Sequence, residues 1–84
     1  MIDILYFARI REAVGHSAEA VSPPETVTTI AGLIDWLAAR GGGYAEAFAD
    51  RSLVRAAIGE DFVDPATPIA GAREIALFPP VTGG

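Results

Sequence analysis

Thr26-Val27-Thr28-Thr29-Ile30-Ala31-Gly32-Leu33-Ile34-Asp35-Trp36-Leu37-Ala38-Ala39-Arg40 is the stretch on which the fold turns. Val27, Ile30, Leu33, Ile34 and Leu37 recur at spacings of three and four, which draws one apolar stripe along a helix running through Ala38. Thr26 or Thr28 can cap its start by accepting a bond from an unpaired helical N–H. Arg40 falls in the last turn, where a cation complements the helix dipole, and Gly41-Gly42-Gly43 stops the helix. Trp36 lies roughly 120° from the centre of the stripe at the helical 100° per residue, so it shields an edge. A helix with a single apolar stripe covers one surface, and the flanking sequence supplies that surface as strands.

On the N-terminal side, Ser22-Pro23-Pro24-Glu25 interrupts any ladder. Before it, Ile2 to Arg9 is rich in strand formers. Alternation sends Ile2, Ile4, Tyr6 and Ala8 to an uncharged, core-facing side, and Asp3, Leu5, Phe7 and Arg9 to the other. Ile10 to Gly15 has the length of one helical turn, His16 follows as a solvated turn residue, and Ser17 to Val21 is a weaker strand. On the C-terminal side, Tyr44 and Phe48 stand four apart and predict a short helix closing the core. Leu53 to Ile58 reads as a strand, Gly59-Glu60 as a turn, and Asp61-Phe62-Val63 as a short strand. Asp64-Pro65 and Pro68 mark an irregular connection before a last strand, Arg73 to Phe78, with Ile75 and Leu77 inward.

A strand pair, one long helix and then further strands predict an α+β two-layer domain spanning residues 1–84. The first and last strands are the most apolar and belong at the centre of a mixed sheet, and a right-handed crossover through the helix would make their neighbours parallel to them. One main helix covering one face of such a sheet is a β-grasp.

Composition narrows the function. The chain has 84 residues, eleven acids against six bases, a formal charge of −5 and no cysteine. This length supports one small core and no second domain. The acidic balance argues against nucleic acid, which selects for clustered Lys and Arg. Apolar runs are too short and too broken by charge to cross a membrane, and the N-terminus lacks the basic start of an export signal, so a cytoplasmic location is expected. All six bases are arginine, which excludes Schiff-base chemistry on lysine. His16 has no nucleophile and orienting acid arranged with it, and the acids near Asp61 do not match a calcium loop. No metal site is expected.

The informative segment is Phe78-Pro79-Pro80-Val81-Thr82-Gly83-Gly84. Pro79 and Pro80 leave the strand and stiffen an extended tail over residues 79–84. The six residues beyond Phe78 can reach about 20 Å. Gly83 and Gly84 present no side chain, so they fit a passage too narrow for any other dipeptide and leave the terminal carboxylate unhindered. Such a tail suits delivery of a carboxylate into another protein's active site. Activation with ATP would give an acyl adenylate, and a sulfur donor would then give a thiocarboxylate.

Over essentially its whole length the chain resembles the MoaD-like sulfur carriers of the ubiquitin-like superfamily, the small subunits of molybdopterin synthase. Ile4-Leu5-Tyr6-Phe7-Ala8 with Arg11-Glu12 carries the resemblance at one end, and Phe78 to Gly84 at the other. The resemblance implies that Gly84 bears the transient acyl adenylate and thiocarboxylate, while Pro79, Pro80, Val81, Thr82 and Gly83 form the inserted tail. It implies three partners: an ATP-dependent adenylating enzyme, a sulfur donor, and a large synthase subunit in which the sulfur passes to cyclic pyranopterin monophosphate. Catalytic groups would reside in those partners, with no cofactor bound by this chain. Phe7 and Phe78, outward on adjacent central strands, are expected to form an apolar docking patch joined by Phe62, with Arg11 adding a polar contact. Two departures stand out. Ala72-Arg73-Glu74 replaces the family's frequent Gly-Asp-Glu, and Gly59 replaces a frequent Asn. A carrier serving thiamine synthesis or tRNA thiolation, or a non-covalent ubiquitin-like adaptor, are the alternative readings.

Overall fold

A computed structural model describes residues 1–80 of the chain. Strand β1 (Ile2–Tyr6) leads into helix α1 (Ala8–Val14) and strand β2 (Ala18–Val21). Helices α2 (Ile30–Ala38) and α3 (Gly42–Ala47) follow, then a 3₁₀ turn (Arg51–Leu53) and strands β3 (Arg55–Ile58), β4 (Asp61–Val63) and β5 (Glu74–Phe78). The five strands form one sheet in the order β2-β1-β5-β3-β4. β1 and β5 pair in parallel near the centre, but their outer neighbours β2 and β3 run antiparallel to them rather than parallel as expected, because β2 returns from β1 through the short α1 connection and β3 is joined to β5 through β4. This is the mixed β-grasp sheet expected from the element order.

One face of the sheet holds the core. Ile2, Ile4 and Tyr6 of β1, Val21 of β2, Ala56 of β3, and Ile75 and Leu77 of β5 pack there against Ile30, Leu33, Ile34 and Leu37 of α2. The four α2 residues are the helical part of the apolar stripe. Ile10 and Phe48, both fully buried, close the core from α1 and from the end of α3.

Several boundaries differ from the sequence reading, each for a local reason. β1 ends at Tyr6 rather than Arg9, and Ala8 is exposed with φ of 52° at the start of α1, not inward on a strand. The Phe7 carbonyl accepts from the Ile10 and Arg11 N–H groups, which converts the end of the strand into a helix start. α2 begins at Ile30 and is capped by Thr29, whose Oγ1 accepts from the Gly32 N–H at 3.1 Å, in place of Thr26 or Thr28. Thr28 and Thr29 are drawn into extended pairing with the β4–β5 connection, through Ile69 N–H to Thr28 O and a bridge to Pro68. β3 starts at Arg55 rather than Leu53 because Asp50 Oδ1 accepts from Ser52 N–H and Ser52 Oγ, winding residues 51–53 into a turn. α2 ends at Ala38 with Ala39 as its C-cap, so Arg40 falls beyond the last turn rather than in it, and the glycines expected to stop α2 instead begin α3, with Gly41 as its N-cap. Gly43 packs so closely on α1 that a Cβ there would overlap the Ala13 carbonyl.

Candidate functional site

The strand register builds the site on the face that carries no helix. Ala18 of β2 lies beside Leu5 of β1, Leu5 beside Ala76 of β5, Ala76 beside Ala57 of β3, and Ala57 beside Phe62 of β4. Alternation puts these five side chains in one apolar row across the sheet, opposite the core. Ala57 is buried yet lies outside the core cluster, as a residue covered from this second face must. The next row toward the end of β5 pairs Phe78 with Arg55. Phe62 is 79% exposed and Phe78 half-buried, with ring centroids 5.5 Å apart. Three alanines in the row keep the floor flat, so the two rings stand as its relief.

Phe7 lies one step beyond the Tyr6–Leu77 pair, extended, with its N–H donated to Leu77 O at 3.1 Å. It is 46% exposed and therefore available beside Phe78. The ring pair in contact is Phe62 with Phe78, so Phe62 is a central member of the patch rather than an addition to a Phe7–Phe78 pair. Arg11 is exposed on α1, one helical turn from Phe7. Leu53, 41% exposed, widens the apolar surface at the same end. Pro79 and Pro80 are half-buried and continue from the end of β5 without strand pairing. The expected roles of Val81, Thr82, Gly83 and Gly84 lie outside the described residues.

A second cluster, which the sequence reading missed, lies on the core side of β2. Glu19 Oε1 accepts from Tyr6 OH at 2.6 Å, Tyr44 OH at 2.7 Å and Arg40 Nη1 at 2.9 Å. The Arg40 guanidinium lies 5.0 Å from the Trp36 ring centroid and 4.9 Å from that of Tyr44, a double cation–π stack. Since Tyr44 donates its proton to Glu19, its oxygen accepts from His16 Nε2–H at 2.9 Å, which assigns the tautomer of His16. Burial alone would raise the Glu19 pKa, but bonds from Tyr6 and Tyr44 and the Arg40 charge outweigh it and hold the carboxyl below its ordinary value. Burial, then the bond to Glu19, pushes the Tyr6 hydroxyl far above its ordinary range. This cluster ties β1, β2, α3 and the end of α2 together and is structural. Alternation from Val21 already places Glu19 inward, and an inward carboxylate needs donors, so the signal was present.

A groove of about 640 Å³ runs between α2 and β3–β4, with Ile30, Ile34, Val54, Ala56 and Val63 among its lining. Its one ion pair, Asp35 with Arg51 at 2.8 Å, closes on itself. Among the described residues no three His, Asp or Glu side chains converge as a metal-holding set, and no helix is long and apolar enough to cross a membrane.

Residues 4–84 match the ThiS family. The chain belongs to that family. It is 38% identical over 84 residues to the molybdopterin synthase sulfur carrier subunit of Escherichia coli K12, with all of both chains covered. The protein of the same name from Haemophilus influenzae is 32% identical, again over the full length of both. In fold, this ThiS-family chain superposes on SAMP1 from Haloferax volcanii with a TM-score of 0.70 at 23% identity, covering 99% of this chain and 98% of that one. The resemblance to sulfur carriers seen in the two terminal signatures thus extends through the whole chain.

Proposed function

We propose that the chain is the sulfur-carrying small subunit of a molybdopterin synthase and acts through Gly84. The observation that carries the proposal is the full-length likeness to two sulfur carrier subunits, joined to a fold that sends Pro79-Pro80 out of a central strand beside exposed aromatics. In the first step the Gly84 carboxylate attacks the α-phosphorus of ATP on an adenylating enzyme, releasing pyrophosphate. A sulfur nucleophile then attacks the acyl carbonyl, releasing AMP and leaving a thiocarboxylate. Docking through Phe7, Phe62, Phe78 and Arg11 delivers that group into the large subunit. There the sulfur passes to cyclic pyranopterin monophosphate and water restores the carboxylate. This chain supplies the sulfur handle and its partners supply acid–base groups, so it is not a catalyst by itself.

The ThiS family also accommodates carriers that serve thiamine synthesis or tRNA thiolation. Reconstitution separates these readings. Thiocarboxylated chain mixed with the large subunit and the pterin precursor is expected to yield molybdopterin. The chain lacking Gly84 is expected to fold normally and yield none. Full conversion by the truncated chain, or no conversion by the intact one, contradicts the proposal.

A further inference from the structure

Arg55 is paired with Phe78 across the β3–β5 ladder and also lines the rim of the groove between α2 and β3–β4, and its bonding is incomplete. Its Nη1 donates to Ser52 O at 3.0 Å and Val54 O at 3.2 Å. Nε and Nη2 have no partner among the described residues, and Arg55 belongs to none of the ion pairs there. Arg9 approaches the same segment, its Nη2 donating to Leu53 O at 3.2 Å. The neighbouring acids are otherwise engaged. Asp50 accepts from Ser52 N–H and Oγ, Asp64 from Ala66 N–H and Thr67 Oγ1, and Asp35 from Arg51. The opposite end of the sheet carries Asp3, Glu60, Asp61 and Glu74 against a single base there, Arg73, so that end is acidic.

A partner that covers Phe78 also covers Arg55, one strand away. A guanidinium taken out of water with three of its five N–H donors unmet is strongly disfavoured. The Nε–Nη2 edge has the fork geometry that a carboxylate fills with two parallel bonds. Six residues separate Phe78 from Gly84, a reach of at most about 20 Å. A side chain at the mouth of the tail-accepting cavity is the complement that can sit against Arg55 while the tail passes it.

We infer that the partner receiving the tail places an Asp or Glu side chain against the Nε–Nη2 edge of Arg55, with Arg9 adding to the attraction. This rests on the sulfur-carrier reading above and names the chemistry of its docking rim. The pair orients the small subunit about the Phe62–Phe78 contact, so that the tail enters in one direction.

The test measures association of the folded chain with the purified large subunit of the same organism by calorimetry, over a series of salt concentrations. Arg55→Glu is expected to weaken binding at least tenfold and to flatten its salt dependence. Arg55→Gln and Arg55→Lys should fall between it and the unsubstituted chain, because Gln removes the charge and Lys removes the fork. Arg73→Glu, at the far end of the sheet, should bind as the unsubstituted chain does. A carboxylate-to-Arg change at the rim of the large subunit should restore binding to Arg55→Glu. Tight binding of the unsubstituted chain together with equal binding and salt dependence of Arg55→Glu overturns this inference and leaves the sulfur-carrier reading standing. Failure of the unsubstituted chain to bind at all overturns both.

Discussion

Replacing Glu19 by Ala tests whether the cluster on β2 holds the fold together. Glu19 Oε1 receives three donors, and their exposures differ. Tyr6 is 1% exposed, so its hydroxyl is left without water or partner, a penalty of about 1–3 kcal/mol. Tyr44 is partly exposed and Arg40 is exposed, so both can turn to solvent, and their lost bonds add about 1 kcal/mol together. The sum is about 2–4 kcal/mol. With an m-value of about 2 kcal/mol/M for a small chain, the guanidinium midpoint should fall by about 1–2 M. Tyr6→Phe, which keeps the ring, should cost about 1 kcal/mol alone but become neutral or stabilising in the Glu19→Ala background, since it removes the stranded hydroxyl. The pH dependence follows from the direction of the Glu19 shift. A carboxyl held below its ordinary value of 4.5 stabilises the fold above that pH and loses the contribution as pH falls through the lowered folded value. The stability gap between the unsubstituted chain and Glu19→Gln should therefore be full at pH 7 and close in acid. A Tyr6→Phe cost that is equal in both backgrounds, or a gap that widens in acid, refutes the reasoning.

Two other substitutions separate docking from folding. Phe62→Ser removes a ring that is 79% exposed, so the denaturation midpoint should move little while affinity for the large subunit falls by at least tenfold in calorimetry. Gly43→Ala places a Cβ against the Ala13 carbonyl, so α1 and α3 must separate, and thermal unfolding should show a loss of about 2 kcal/mol or more, well beyond the gain of Ala over Gly in a helix.

Much of the fold was legible because periodicity reports burial. The stripe from Ile30 to Leu37 and the alternation in β1 and β5 mark the two layers and the central place of both strands, whereas the pairing directions of their neighbours follow from connections that local pattern does not encode. Boundaries were less legible where a few bonds redirect the chain. The Phe7 carbonyl starts α1 at Ala8, Thr29 caps α2 against the pull of Ile69 and Pro68, and Asp50 winds residues 51–53. The patch of exposed aromatics was legible in part. Outward parity placed Phe7 and Phe78 together, but the Phe62–Phe78 contact depends on β4 lying two strands away, which local pattern does not encode. The Glu19 cluster escaped because its donors are 13 to 25 residues distant in sequence, although the inward carboxylate itself was visible.

The most direct measurement is the intact mass of the chain after incubation with ATP, a sulfur donor and the adenylating enzyme. One oxygen exchanged for sulfur, mapped to Gly84 and absent when ATP is withheld, is the outcome the account predicts. An unchanged mass under conditions where the same enzyme charges a known sulfur carrier would contradict it.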